Sequence, residues 1–310
     1  MIVCQRPSGL RLFFTYRGSI LQHIKTKLLV TILLALAVTL THGTLFRLKI
    51  TMTPVPFSLI GIALAIFLGF RNSASYDRYW EGRKLWGQLV ITSRNLCRQV
   101  LTFIDTDNTP SSPSPLKRQM VYRVIAFTHA LRHHLRDSCP NSDLAPLLPA
   151  DEWMAADRAR NKPKFLLENL GHDLRRCLEE KRTLAYFAAS LDQNLNSLGD
   201  ILGGCERIKN TPIPFSYTVL LHRTAYLYCF LLPFGLVDSL GFMTPFVVGI
   251  ISYTFFGLDA LGDELEQPFG LFPNDLPLSA LSLTIESDLR EALGESDLPE
   301  SPRPVEHCLQ

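Results

Sequence analysis

The side chains best suited to chemistry in this sequence are a histidine cluster and one cysteine. His129, His133 and His134 lie in the segment HALRHHLRD, and the first two are spaced so that two imidazoles on one helix could share a metal. No glutamate follows the first histidine as in the H-E-x-x-H hydrolases, so a solvated basic helix face is the simpler interpretation. Cys205, in GGCERI, is interpreted as a buried structural thiol. With no glycine-rich phosphate loop, nucleophile elbow or kinase signature, the sequence predicts no enzyme, no cofactor and no bound metal.

The composition points to the membrane instead. Of the 310 residues, 47% are hydrophobic, and the mean hydropathy is +0.12. The 31 Lys and Arg residues nearly balance the 29 Asp and Glu residues, which argues against nucleic acid as a partner because such proteins carry a basic excess. The seven cysteines are scattered without a C-x-x-C pair, which argues against both a disulfide framework and a four-cysteine zinc site.

Four apolar stretches predict four transmembrane helices, with a soluble protein of buried helices as the alternative. A helix needs about 20 apolar residues to cross a bilayer. Residues 28–46 and 52–70 carry no charge, and the short connector 47–50 predicts an antiparallel hairpin. Residues 224–237 and 241–258 form a second, shorter pair. At the start of the third stretch, His222 and Arg223 are expected either at an interface or pore, or in a structural pair with an acid such as Glu206.

Charge around these stretches predicts their orientation. Lys and Arg residues precede the first stretch and follow the second, and the turn between the last two has none, although Arg47 and Lys49 oppose this pattern. Both termini and the middle of the chain are therefore predicted to face the cytoplasm. The predicted organisation is a cytosolic N-terminal segment 1–27, a transmembrane hairpin 28–70, a cytosolic helical region 71–212, a second hairpin 213–264 and a cytosolic C-terminal segment 265–310 with a disordered tail.

Periodicity predicts helices in the polar parts of the chain. Apolar residues recur with helical spacing between charged ones, and Pro- and Ser-rich residues mark the breaks. The predicted helices are 77–104, 117–136, 175–208 and 278–293, with a loop at 105–115, a loop carrying one short helix at 137–164, and a disordered tail at 295–310.

The second apolar stretch carries two stripes with different roles. Its small residues are Gly61, Ala65 and Gly69, whose spacing lets a neighbouring helix approach closely in lipid. One residue further along lies a stripe of larger apolar side chains, Ile62, Ile66 and Phe70, about 100° around the helix. If the small stripe packs against a symmetry mate, the larger residues turn toward the axis of a ring and form a narrow apolar tube. Plain packing in lipid or in a core is the alternative.

The segment FLGFRNSASYDRYWEGRKLWG, residues 67–87, resembles the signature of the bestrophin family in its bacterial branch. It is followed by GCERI at 204–208, TPIPFSY at 211–217, LHRT at 221–224, MTPF at 243–246, ELEQPFG at 264–270 and NDLPL at 274–278. The resemblance covers roughly residues 10–290. It implies an all-α integral membrane protein, a pentameric ion channel with four membrane helices per subunit and a cytosolic helical region, in the bacterial inner membrane.

The resemblance also implies where ions pass. Ile62, Ile66 and Phe70 correspond to the membrane neck of the family, and a second constriction at the cytosolic exit is expected near Tyr186, with Leu184 and Phe187 as neighbours. Animal members bind calcium through acidic residues after P-F-G. Here that segment is Leu271, Phe272, Pro273, Asn274 and Asp275, so calcium gating is not expected.

The sequence thus predicts a homopentamer that is embedded in membrane lipid and passes monovalent ions passively. Polar residues just beyond the neck, where rings of like side chains could attract or repel ions, are Asn72, Asp77, Arg78 and Glu81. Chloride follows from the family, whose animal members have an aromatic-rich neck with positively polarised ring edges. Sodium is the rival, because Ile62 and Ile66 offer no such edge. A secondary transporter and a membrane scaffold without conduction are the alternatives from other classes.

Overall fold

The computed structural model describes residues 16, 18–41, 44–45, 48–49, 53–105, 113–300, 303–304 and 309. The elements are helix α1 (Leu21–Leu40), strands β1 (Thr44–Leu45) and β2 (Leu48–Lys49), and helices α2 (Pro54–Phe103), α3 (Pro115–Arg136), α4 (Asn141–Leu144), α5 (Ala150–Arg158), α6 (Lys162–Glu179), α7 (Ala185–Asn210), α8 (Phe215–Leu240), α9 (Thr244–Glu266) and α10 (Leu278–Ala292). A single 3₁₀ turn, Gly241–Met243, joins α8 to α9. The prediction of an all-helical fold is confirmed, apart from one small β-ladder.

That ladder lies between the first two apolar helices. β1 and β2 pair antiparallel, with Thr44 opposite Lys49 and Leu45 opposite Leu48. The sequence predicted a tight turn over 47–50, and residues 47 and 50 lie outside the described ranges. The first helix begins at Leu21, before the apolar stretch 28–46, because the charged segment that precedes the stretch is also helical. It ends at Leu40, before the end of that stretch.

Two predicted helix boundaries are wrong. The stretch 52–70 and the helix 77–104 are one continuous helix, α2, because a change from apolar to polar side chains does not interrupt the backbone hydrogen bonds. The predicted helix 175–208 is in fact two helices, α6 and α7, separated at residues 180–184, where Lys181 has a left-handed φ of 55°. The predicted loop 137–164 holds two short helices, α4 and α5, before α6 begins at Lys162.

Three helical stretches are long and apolar enough to cross a membrane: α1, α2 and Phe215–Glu266, which comprises α8, the 3₁₀ turn and α9. Within the last stretch α8 and α9 run antiparallel, since His222 near the start of α8 bonds to Asp259 near the end of α9. The chain has four transmembrane helices if α8 and α9 each cross the membrane, and three if they count as one span.

The described chain packs as two compact units. One contains the residues up to Tyr79 together with Pro212–Pro268, and the other contains Trp80–Thr211 together with the residues from Phe269 onward. In the first, α1 packs against α8 and α9. The core of this unit is apolar and includes Leu64 and Leu68 from α2 and Phe256 from α9.

In the second unit α3 is the central helix, in contact with α6, α7 and α10. Its charged residues are satisfied inside the unit: the guanidinium of Arg123 donates to Glu152 Oε1 at 2.6 Å and to Asp173. Glu295, the first residue of the predicted disordered tail, accepts a hydrogen bond of 2.8 Å from the Tyr122 hydroxyl. The rest of that tail lies partly outside the described residues.

Candidate functional site

The ridge of large apolar residues on α2 is exposed. Ile62, Ile66 and Phe70 are 61%, 52% and 64% exposed, whereas Leu64 and Leu68 on the same helix are 2% and 0% exposed. A step of two residues turns an α-helix by about 200°, so the ridge points away from the face that the protomer buries. Large apolar side chains arranged in this way face lipid, another protomer or an ion path, and not the core of their own chain.

The small residues of α2 have different surroundings from one another. A Cβ atom at Gly61 would lie 2.8 Å from the Tyr228 hydroxyl oxygen, so this glycine allows a close approach of α8 within the same chain. A Cβ atom at Gly69 would have no neighbour within 4 Å, and Ala65 is exposed. Ala65 and Gly69 thus leave a shallow strip beside the ridge that the described protomer does not fill. Packing of the whole stripe against a symmetry mate stays a prediction.

Directly after the ridge lies a buried cation that the sequence analysis did not select. The Arg71 side chain is 0% exposed, and its guanidinium donates to Asp259 Oδ1 at 2.9 Å and to the Asp263 carboxylate. Glu266 Oε2 is 3.7 Å away. The three acids are spaced so that they line one face of α9, and this charged stripe at the end of an apolar helix is the signal that could have identified them. The cluster anchors the end of the ridge to α9.

His222 belongs to the same cluster. Its Nδ1 lies 2.7 Å from Asp259 Oδ2, which is the second oxygen of the carboxylate that binds Arg71. A structural pair with an acid is thus confirmed for His222, but the acid is Asp259 and not Glu206, which instead contacts His134 Nε2 at 2.9 Å. Adjacent Arg223 is exposed and makes no ion pair among the described residues.

The four polar residues predicted just beyond the neck are not equivalent. Arg78 Nε donates to the Glu266 carbonyl oxygen at 3.2 Å, and Glu81 pairs with Arg207. Asn72 is half-buried, and its Oδ1 has no hydrogen-bond donor among the described residues. Only Asp77 is exposed and without an ion pair in the described part of the chain. Asp77 is therefore the one carboxylate among the four that is open to solvent without an ion pair among the described residues.

The second predicted constriction lies where α7 begins. Leu184 and Tyr186 are 53% and 65% exposed, and Leu184 is the N-cap residue directly before the helix. Phe187 is half-buried and stacks on Phe103, with ring centroids 4.3 Å apart. Leu184 and Tyr186 thus project from the protomer, whereas Phe187 holds the start of α7 against the end of α2.

Two further contacts fix this start of α7. The Arg182 guanidinium donates to Asp105 Oδ1 at 2.7 Å and to Oδ2 at 2.6 Å, and the Thr183 hydroxyl donates to the Phe103 carbonyl oxygen at 2.8 Å. The hydrogen bond from Arg182 holds the pKa of Asp105 below its ordinary value. These contacts stabilise the interruption between α6 and α7 and position Leu184.

The histidine cluster is structural rather than solvated. His129 is 3% exposed, and its Nε2 lies 2.8 Å from Glu286 Oε2, so the interpretation as a solvated face is wrong for this residue. His133 Nε2 lies 2.9 Å from Asp143 Oδ2. Cys205 is 0% exposed, as predicted, and burial raises the pKa of its thiol to about 12. None of these groups forms an exposed nucleophile with a base beside it.

Asp275, the single carboxylate left in the segment that binds calcium in animal members, has a local structural role. It is 2% exposed, and its Oδ2 accepts a hydrogen bond of 2.8 Å from the Phe272 backbone N–H. The carboxylate thereby closes the turn that follows Phe269. Calcium prefers six or more oxygen ligands, and this buried carboxylate already serves the backbone.

Comparison with known proteins assigns the chain to a family. The model for the Bacterial/Fungal Bestrophin protein matches residues 1–291. The voltage-dependent anion channel-forming protein YneE of Escherichia coli (strain K12) is 42% identical over 307 residues, which cover 99% of both chains. A voltage-dependent anion channel-forming protein of Ralstonia nicotianae is 41% identical over 298 residues, 96% of each chain.

Solved structures agree with this assignment. A crystal structure of a bacterial bestrophin homologue from Klebsiella pneumoniae superimposes with a TM-score of 0.82 at 41% identity, covering 88% of this chain and 99% of that one. The likeness therefore extends over most of this chain and nearly all of the other one. The chain therefore belongs to the bacterial branch of the bestrophin family.

Proposed function

We propose that this protein is the subunit of a homopentameric channel that passes monovalent ions passively, with Ile62, Ile66 and Phe70 of each copy forming a hydrophobic neck. The observation that carries the proposal is the exposed ridge on α2, which points away from the buried Leu64 and Leu68. The names of the relatives, which describe anion channel-forming proteins, supply the class of activity.

The physical reason is the behaviour of water in a narrow apolar tube. If five copies place the ridge on a common axis, three successive rings of apolar side chains enclose the path. Such a constriction controls flow by its width and by dewetting, without any group that binds the ion tightly. The anchoring of Arg71 to α9 would keep the end of the ridge in a fixed orientation in each copy.

The proposed topology has four spans, α1, the first part of α2, α8 and α9. The antiparallel contact of His222 with Asp259 supports treating α8 and α9 as two crossings joined by the 3₁₀ turn. Both termini then lie on one side, which charge asymmetry around the apolar stretches assigns to the cytoplasm of the bacterial inner membrane. Residues 71–212 and 265–310 would form the cytosolic part, where Leu184 and Tyr186 provide the second constriction.

The permeant ion is proposed to be an anion such as chloride, following the names of the relatives. Phe70 contributes one ring edge per subunit that favours an anion. A cation such as sodium is the second candidate, and a specific observation favours it. Asp77 lies seven residues after Phe70, near the same helix face, and is exposed without an ion pair among the described residues, so a pentamer would bring five carboxylates near the path.

The test is the current through the full chain reconstituted in a planar bilayer. Ile66→Ala removes most of an exposed side chain from the ridge, and we expect it to raise unitary conductance roughly twofold or more because the neck widens. Ile60→Ala is the matched control: the same change on the same helix, about 120° away from Ile66, at a side chain that is 45% exposed. The proposal fails if both variants, or neither, change the conductance.

Reversal potentials in asymmetric salt give the sign of the permeant ion in the same experiment. A reversal potential near the chloride equilibrium potential supports the anion assignment. A reversal potential near the sodium equilibrium potential supports the second candidate if Asp77→Asn abolishes this preference for sodium. Coupled and saturable flux would indicate a secondary transporter, and the absence of any current from folded protein would leave a scaffold role.

A further inference from the structure

A basic and aromatic site lies where α1 and α8 meet, outside the proposed ion path. Lys27 Nζ lies over the Tyr226 ring, 4.9 Å from its centroid. Lys27 is half-buried, yet it makes no ion pair among the described residues. A half-buried ammonium group without a counter-charge is costly, and a cation–π contact offsets only part of that cost.

The same site holds a tyrosine hydroxyl without a partner. Tyr226 Oη is buried and has no hydrogen-bond partner in the described part of the chain. Arg223 precedes Tyr226 by three residues and therefore lies on the same face of α8, where it is exposed and unpaired. Lys27 lies over the Tyr226 ring, and Arg223 lies one turn before Tyr226 on the same helix. Two cations and one unused hydroxyl group thus belong to neighbouring turns of two packed helices, and each of them suits an anion with several oxygen atoms.

Nearby negative charge is already engaged. The His222 ring lies 4.2 Å from the Tyr226 ring, and its Nδ1 bonds to Asp259. Asp259 is 3% exposed and is neutralised by Arg71, so its carboxylate is not available to Lys27 or Arg223. The site therefore keeps an uncompensated positive charge.

The position along the helices indicates where the anion comes from. Lys27 directly precedes the apolar stretch that starts at residue 28, and Arg223 directly precedes the one that starts at 224. Both cations therefore reach the level of the lipid headgroups at the same membrane surface, where tyrosine is also favoured. Exposed Val30, one turn after Lys27, and exposed Leu227, one turn after Arg223, continue the site with apolar surface that suits an acyl chain.

We propose that the phosphate group of an acidic phospholipid binds between Lys27, Arg223 and the Tyr226 hydroxyl group. The phosphate oxygens take the ammonium and guanidinium groups as partners and accept the hydrogen bond that Tyr226 does not otherwise make. The acyl chains lie along Val30 and Leu227. This site is independent of conduction, since it requires only that α1 and α8 enter the membrane from the same side.

The test uses the purified full chain in a neutral detergent, titrated separately with phosphatidylglycerol, phosphatidylcholine and inorganic phosphate, with binding followed by the midpoint of thermal unfolding. Lys27→Gln and Arg223→Gln each weaken the apparent affinity for phosphatidylglycerol about fivefold, the effect of one basic residue near an anionic lipid. Lys25→Gln is the matched control: an exposed lysine two residues from Lys27, on the opposite face of α1, that makes no ion pair among the described residues. It leaves the affinity unchanged.

Tyr226→Phe keeps the ring under Lys27 and removes only the hydroxyl group, so it tests the site even if a lysine or arginine variant fails to fold. It weakens phosphatidylglycerol binding about threefold. An equal response to phosphatidylcholine, or an equal loss in Lys25→Gln, overturns the proposal because either result means unspecific attraction. An equal response to inorganic phosphate overturns the lipid as the source of the anion.

Discussion

Replacement of Arg71 by methionine tests the buried cluster that anchors the ridge. Methionine is close to arginine in length but has no charge, so Asp259 at 3% exposure loses its cation partner while the packing volume is largely kept. Removal of one member of a buried ion pair costs about 3–5 kcal/mol, because the other member stays buried without a counter-charge. Asp263 has a side chain that is 58% exposed and can return to water, so the lower end of that range applies.

The assay is the midpoint of thermal unfolding of the full chain in detergent. For a chain of this size the loss corresponds to a midpoint about 5 °C lower. The double variant Arg71→Met with Asp259→Asn removes both charges and recovers at least half of the loss, because no buried charge is then left unpaired. Arg175→Met, which breaks the fully exposed pair with Glu179, is the control and leaves the midpoint unchanged. If the single and double variants unfold at the same temperature, Asp259 is not the partner that Arg71 requires.

Three further predictions follow from the described contacts. Leu68→Ala, at a side chain with 0% exposure, lowers the free energy of unfolding by about 2–5 kcal/mol, and an unchanged melting midpoint would contradict the assignment of the buried face of α2. Maleimide labelling of the folded protein, mapped by peptide mass spectrometry, modifies exposed Cys139 and spares buried Cys205. Burial raises the pKa of the Cys205 thiol to about 12, so rapid modification of Cys205 would refute its burial. Because the hydrogen bond from Arg182 lowers the pKa of Asp105, this pair stabilises the fold above about pH 4 and ceases to do so as the pH falls through the lowered pKa. The melting difference between wild type and Arg182→Gln is therefore present at pH 7 and shrinks as the pH falls through the lowered pKa of Asp105. A difference that grows in acid would show that the sign is wrong.

Patterns within one segment of the sequence predicted much of this fold. The apolar stretches were recognised because membrane helices must satisfy their backbone internally, and the ridge of Ile62, Ile66 and Phe70 was visible from helical spacing alone. The structure adds that this ridge lies on the exposed side of α2. The spacing of residues cannot show which side is exposed, because either side of an apolar helix can face the core.

Contacts between distant segments were not predictable in this way. Arg71 and its partner Asp259 are 188 residues apart, and no local pattern distinguishes Arg71 from the other arginines that follow the second apolar stretch. The interruption at residues 180–184 depends on Arg182 and Thr183 reaching the end of α2, and the local sequence there contains no proline or glycine to reveal it. In both places tertiary contacts decided the outcome over local propensity.

A density map of the full chain assembled in lipid shows most directly how α2 is oriented relative to a symmetry axis. We expect five copies around one axis, with the side chains of Ile62, Ile66 and Phe70 as the groups nearest to it. An assembly without rotational symmetry, or one that turns these three side chains toward lipid or a subunit interior, would contradict it.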